Sequence, residues 1–190
     1  MIFTQWRARS ANRRLIDQLH GKIVAASRSP FLYINLGVPD TFEGRFEMVT
    51  LYAGLVIRRL TQLSGIGAEL AQELADSVFR HFEIALREIG IGDVAVPKRL
   101  KRMAEAFYGR NKAYGEGLDE HDSNRLAEAL ARNVYGMDEV ALAPMALSLT
   151  QHVRETAEVL DQTPLSVFAG GDIQFLDPER ILTKNEADDG

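Results

Sequence analysis

The chain of 190 residues contains no cysteine. That excludes a disulfide scaffold, an iron–sulfur cluster, a thiolate zinc site and a cysteine nucleophile. Long apolar runs are missing too. Met48 to Ile57 is apolar apart from Thr50, but Arg45 and Glu47 precede it and Arg58 and Arg59 follow it. Val140 to Val153 carries no Asp, Glu, Lys or Arg, and Pro144 interrupts it. A membrane-spanning helix needs about 18–20 apolar residues, so neither segment qualifies. No apolar h-region follows the N-terminus, so no signal peptide is expected. The Arg-rich start is read as a helix of the domain rather than a transit peptide.

Catalytic signatures are scarce. The four histidines, His20, His81, His121 and His152, form no H-E-x-x-H pair and no two Glu-x-x-His pairs. There is no G-x-S-x-G elbow and no phosphate-binding G-x-x-x-x-G-K-[ST] loop. Gly90 to Ala95 matches G-x-G-x-x-A, but it follows a helical pattern and runs into Val96-Pro97. The dinucleotide motif must leave a strand and open a helix, so this match reads as a structural loop. No metal, cofactor or catalytic residue is assigned.

What is present is a globular composition, 46% apolar, with a net charge of −5. Length suggests one domain. The apolar positions recur with helical period nearly throughout. Leu15/Ile16, Leu19, Ile23 and Ala26 mark a first helix, with Ser10 as a possible start and an end before Pro30. Asp40, with Glu43 three residues on, has the form of a capping box for the next. That helix carries Phe46, Val49, Ala53, Val56, Leu60 and Leu63 on one face and is apolar elsewhere too, which marks it as the central one. Leu70, Leu74, Val78, Phe82, Leu86 and Ile89 follow with the same period, up to Gly90-Ile91-Gly92. Pro97 opens another helix at a position suited to its first residue, with Leu100, Met103, Phe107 and Tyr108 inward. Ser123 starts a helix carrying Leu126, Leu130 and Val134. The next starts at Asp138 with a kink at Pro144, or at Pro144 itself. Thr163-Pro164 caps a short last helix, and Ile173-Gln174-Phe175 reads as extended. The expected architecture is all-α: a single-domain bundle of six to seven helices over residues 1–184, with a short extended C-terminal segment. Residues 185–190 have the composition of an acidic, disordered tail.

Charge is unevenly spread. Residues 1–28 hold six cations against Asp17, net +5, and residues 97–114 hold six against Glu105, again net +5. The last nineteen residues are net −4. Lys98, Arg99, Lys101 and Arg102 fall in the first two turns of their helix. Cations are unfavourable at that pole of the helix dipole, by about 0.3–1 kcal/mol each in the first turn. Either Asp93 or the acidic tail offsets them, or they await an anionic partner.

Three blocks carry a resemblance: Gly37-Val38-Pro39-Asp40-Thr41 with Gly44-Arg45-Phe46; Arg87 to Asp93 with Val96-Pro97-Lys98; and Met103 with Ala106-Phe107-Tyr108-Gly109-Arg110. In order and spacing they are similar to the signature of the ubiquinol–cytochrome c chaperone family, over about residues 30–115. Ile89 and Ile91 stand where the family usually shows Met and Val, and Tyr52 where it shows a His in the central helix. The resemblance implies an all-helical, non-catalytic assembly factor for respiratory complex III that binds newly made cytochrome b. It resembles the short bacterial form, which implies a cytoplasmic location, peripheral at the inner membrane. It leaves open a small helical partner and the ribosome; the mild net charge of −5 excludes a generally basic nucleic-acid coat, so no DNA is expected. The alternative is a peripheral basic module that binds anionic membrane lipid or ribosomal RNA without a client.

Arg45, Lys98, Lys101 and Arg110 are the residues that packing explains least. With Pro39, Asp40, Phe46, Asp93, Arg99, Arg102, Phe107 and Tyr108 of the same segments, they are the candidates for client or partner contact. The two motif segments and the basic helix start are expected to share one surface.

Overall fold

The computed structural model describes residues 2–120, 123–138 and 144–181. Six long helices and two single-turn helices account for most of them: α1 (Ile2–Ser27), α2 (Pro30–Ile34), α3 (Phe42–Gln62), α4 (Gly67–Glu88), α5 (Val96–Asp119), α6 (Ser123–Tyr135), α7 (Pro144–Gln162) and α8 (Leu165–Ala169). There is no strand among the described residues, so the chain is an all-α single domain as its periodicity implies.

The centre is α3. Every residue from Phe46 to Val56 is buried. The helix therefore presents apolar surface in all directions, and α1, α4, α5, α6 and α7 all pack on it. At about 1.5–3 kcal/mol for each fully buried large apolar side chain, this helix supplies the largest share of the driving force. Its neighbour α5 comes unusually close. A Cβ on Gly54 would lie 1.7 Å from Asn111 Oδ1, so the absent side chain is what admits α5.

Helix ends differ from the sequence reading in small, explicable ways. The N-cap of α3 is Thr41 rather than Asp40: its Oγ1 accepts from the Gly44 N–H at 3.1 Å. The Pro39 carbonyl accepts the Thr41 N–H at 2.9 Å, and this tight turn places Thr41 at the cap. Asp40 is thereby free to pair with Arg45 at 2.7 Å. The first helix runs from Ile2, not from Ser10. Pro97 is the second residue of α5, where its missing N–H is still one that the helix cannot use. The described start of α7 is Pro144; Asp138 precedes a segment, 139–143, that lies outside the described residues. Thr163 does not cap α8, because its hydroxyl donates back to the Val159 carbonyl at 2.8 Å and Pro164 takes the capping position. Tyr108, placed inward by the sequence reading, is 56% exposed. It follows Phe107 by 100° around the helix, and Phe107 occupies the core.

The segment after α8 has no regular structure but is well anchored. Lys22 Nζ donates to Asp172 at 2.7 Å and to the Ile173 carbonyl at 3.2 Å. The Phe175 ring stands edge-on to Tyr52 at 5.2 Å. The acidic residues 185–190 lie outside the described residues.

Tyr52 and His152 join α3 to α7 by a buried hydrogen bond of 2.8 Å. Burial brings the His152 pKa down from 6.5 to about 4. An unfolded chain therefore takes up a proton below pH 6.5 that the folded chain refuses until about pH 4. Stability from this group is full above 6.5 and falls as pH drops toward 4, by at most about 3 kcal/mol.

Two outcomes follow for stability. Val56→Asp puts an unpaired charge in the core and should lower the melting temperature by about 10 °C or more, measured by circular dichroism. His152→Gln keeps a partner for Tyr52 without the titration. Its unfolding free energy should vary less than the parent's between pH 7 and pH 4.5 in urea titrations.

Candidate functional site

The up-and-down course of α3, α4 and α5 returns the end of α4 and the start of α5 to the start of α3. A cavity of about 390 Å³ opens there. Phe42 and Phe46 of α3, Leu86 of α4, and Met103 and Ala106 of α5 give it an apolar lining. Arg99, Arg102, Arg110, Glu43 and Glu47 supply its charge. The α5 contribution follows one helical stripe, Arg99, Arg102/Met103, Ala106 and Arg110; the α3 contribution pairs Phe42 with Phe46 and Glu43 with Glu47 at i, i+4. A smaller cavity of about 160 Å³ lies across Phe42 and Phe46 from the first, lined also by Tyr33, Arg45, His81 and Ile89. Phe42 and Phe46 wall both cavities, and the larger one is the groove between α3 and α5.

One ion pair sits in the wall. Arg110 Nε donates to Glu47 at 2.5 Å, and the Arg110 guanidinium lies 5.5 Å from the Phe46 ring centroid. The Glu47 side chain is only 6% exposed. Burial raises its pKa and the bond from Arg110 opposes that rise.

The other candidates sort into distinct places. Arg99 and Arg102 line the cavity, whereas Lys98 and Lys101 do not. Lys98, Arg99 and Arg102 have no ion pair among the described residues; Lys101 reaches Glu105 at 4.0 Å, both of them exposed. Asp93 does not offset these cations. It pairs with Arg87 at the end of α4, which also holds Glu83 at 3.0 Å. Asp40 is bound by Arg45, and that bond keeps its carboxyl below the usual range. Pro39 has a packing role: a Cβ on Gly44 would lie 1.9 Å from the Pro39 carbonyl oxygen, so the first turn of α3 rests on it. Phe107 is 1% exposed and stands edge-on to Phe79 at 5.2 Å, which removes it from the surface. Tyr108 stands outside it.

Phe42, Glu43, Glu47, Leu86, Met103 and Ala106 line the cavity and are not among the candidates, although Met103 and Ala106 stand in the third motif block. The i, i+4 repetition of Phe-Glu at 42–43 and 46–47 was the available signal. Elsewhere, His20 and His81 meet edge-on at 5.1 Å, and His20 Nδ1 lies 3.1 Å from Ser77 Oγ. Burial first, and then the neighbouring His81, bring the His20 pKa down to about 4. No group of three His, Cys, Asp or Glu suited to a metal occurs among the described residues. Gly90 to Ala95 is the turn between α4 and α5; Gly90 ends α4 with φ +84°.

Comparison with known proteins gives consistent findings. The family model described as ubiquinol-cytochrome C chaperone matches residues 35–175. The Xenopus laevis ubiquinol-cytochrome-c reductase complex assembly factor 1 is 27% identical over 125 residues, covering 65% of this chain and 61% of that protein. The Mus musculus counterpart is 22% identical over 160 residues, covering 84% of this chain and 52% of that protein. The chain thus spans between half and two thirds of the length of these curated relatives. The crystal structure of the Cbp3 homolog from Brucella abortus superposes with a TM-score of 0.84 at 38% identity, covering 95% of this chain and 99% of that one.

Removing one member of the Glu47–Arg110 pair leaves a buried charge alone. Arg110→Met should cost about 2–4 kcal/mol in urea unfolding, and Glu47→Leu combined with Arg110→Met should recover most of the loss. If the double variant is no better than the single one, the pair is not the reason Arg110 matters to the fold.

Proposed function

Because this chain belongs to the ubiquinol-cytochrome C chaperone family, we propose that it supports assembly of the ubiquinol–cytochrome c reductase complex by holding newly made cytochrome b in the groove between α3 and α5. The role is non-catalytic. The carrying observation is the chemistry of that groove: an apolar floor of Phe42, Phe46, Leu86 and Met103 beside Arg99 and Arg102, which have no ion pair among the described residues. Stability alone does not select cations in the first two turns of a helix. A membrane-protein client presents apolar helices with polar, charged ends, and this surface offers both kinds of contact together. Aromatic rings and methionine give large, adaptable contact area.

No described helix is long and apolar enough to cross a membrane. The protein would work peripherally at the cytoplasmic face of the inner membrane, where the client is inserted. A small helical partner or the ribosome would bring it to the client.

The bare arginines also favour a second reading, a basic module that binds ribosomal RNA without a client. Salt separates the two, since phosphate binding weakens steeply with salt while apolar contacts withstand it.

The test is Arg99→Glu with Arg102→Glu. The melting temperature should stay within about 2 °C of the parent or rise, because acids suit a helix start. Co-purification of cytochrome b with tagged protein should be lost, and complex III yield in cells should fall. Undiminished capture by a folded variant would contradict the assignment of the groove.

A further inference from the structure

The α5 cations fall on two stripes, and only one lines the groove. Lys98 and Lys101 stand on the outward stripe, away from both the groove and the core. We propose that this outward stripe, with the tip of the α4–α5 loop, docks on an anionic lipid bilayer. The surface is separate from the client groove and does not depend on that reading.

The loop tip is the first observation. Val94, at the tip, is 97% exposed. Gly90 and Gly92 face open space: no atom beyond their own chain neighbours lies within 4 Å of where a Cβ would be. An apolar side chain held bare in water at such a tip contributes nothing to the fold.

Register is the second. The Val96 N–H already bonds the Gly92 carbonyl at 3.2 Å, the Arg99 N–H bonds the Ala95 carbonyl at 3.1 Å, and Ala95 has helical dihedrals. Helical order thus begins within the loop. Continuing the register of α5 back through that turn places Val94 one turn before Lys98 and two before Lys101, on the outward stripe. Arg99 starts the groove stripe about 100° further round.

Charge is the third. From Ile89 to Arg102 there are four cations and one acid, Asp93, and Arg87 holds that acid. Lys98 has no ion pair among the described residues, and the exposed Lys101–Glu105 contact at 4.0 Å holds little. An apolar tip with ammonium groups one and two turns behind it matches the order of a bilayer surface, acyl boundary first and phosphates above it. The lysine stems can lie along the apolar boundary while their charges stay at phosphate level. An RNA or an acidic protein face would use the lysines but leave Val94 without a partner, so the bilayer is the occupant favoured.

Vesicle sedimentation tests this with the intact chain. Wild type should sediment with phosphatidylcholine–phosphatidylglycerol vesicles and not with phosphatidylcholine alone, and salt should weaken the binding. Lys98→Gln with Lys101→Gln should lower the partition by about 30-fold, and Val94→Asp by about tenfold or more. All three sites are on the surface, so melting temperatures should not move. Because the chain has no cysteine, Val94→Cys provides a single thiol for an environment-sensitive dye. Its emission should shift to the blue with anionic vesicles, while the same dye at Glu158→Cys on α7 should not respond. Equal binding to neutral vesicles, binding unaffected by these variants, an unshifted dye at position 94, or capture of RNA but not of anionic vesicles would each overturn the proposal.

Discussion

The burial of α3 on every side governs the rest of the molecule. A helix with no solvent face from Phe46 to Val56 cannot be covered by one partner; α1, α4, α5, α6 and α7 share the task. The short connections on either side of α4 then force an up-and-down course, which brings the first turn of α3, the last turn of α4 and the first turns of α5 to the same end. Gly54 sets how near α5 can come, because any side chain there would meet Asn111. The groove follows from this arrangement. It forms at the end where α4 and α5 turn over the phenylalanines that begin α3.

On α5 the helical period sorts side chains by angle. Phe107, Tyr114 and Leu118 enter the core. Arg99, Met103, Ala106 and Arg110 face the groove. Lys98 and Lys101 face outward. The sequence shows a single basic cluster at 98–102, and the fold divides it between two surfaces. The Glu47–Arg110 pair has a different role from the rim cations: it neutralises a carboxylate that α3 carries into the interior. Breaking it exposes the cost of burial, whereas removing a rim arginine exposes only the loss of a contact.

Much of this was legible in the residues. The all-helical fold, the central position of α3 and the inward set Phe82, Leu86, Val56 and Leu60 followed from spacing alone, because amphipathic period is a strong and redundant signal. The motif blocks pointed to the segments that frame the groove. What the sequence did not show depends on single contacts. The choice of Thr41 over Asp40 as cap turned on the Pro39 carbonyl. The outward position of Tyr108 turned on which of two adjacent aromatics the core accepted. Burial of Glu47 required a partner 63 residues away, which no local pattern reveals. Asp93 found Arg87 behind it rather than the cations ahead, since the loop folds back at Gly90.

We propose that a client occupies the groove between α3 and α5. Site-specific photocrosslinking from inside the groove tests it most directly. A photoreactive residue at Met103, in cells making cytochrome b, should give an adduct with that protein. The same residue at Glu158, in the separate charged cluster around Arg58 and Asp161, should give none. Adducts from position 158 and none from position 103 would contradict the account.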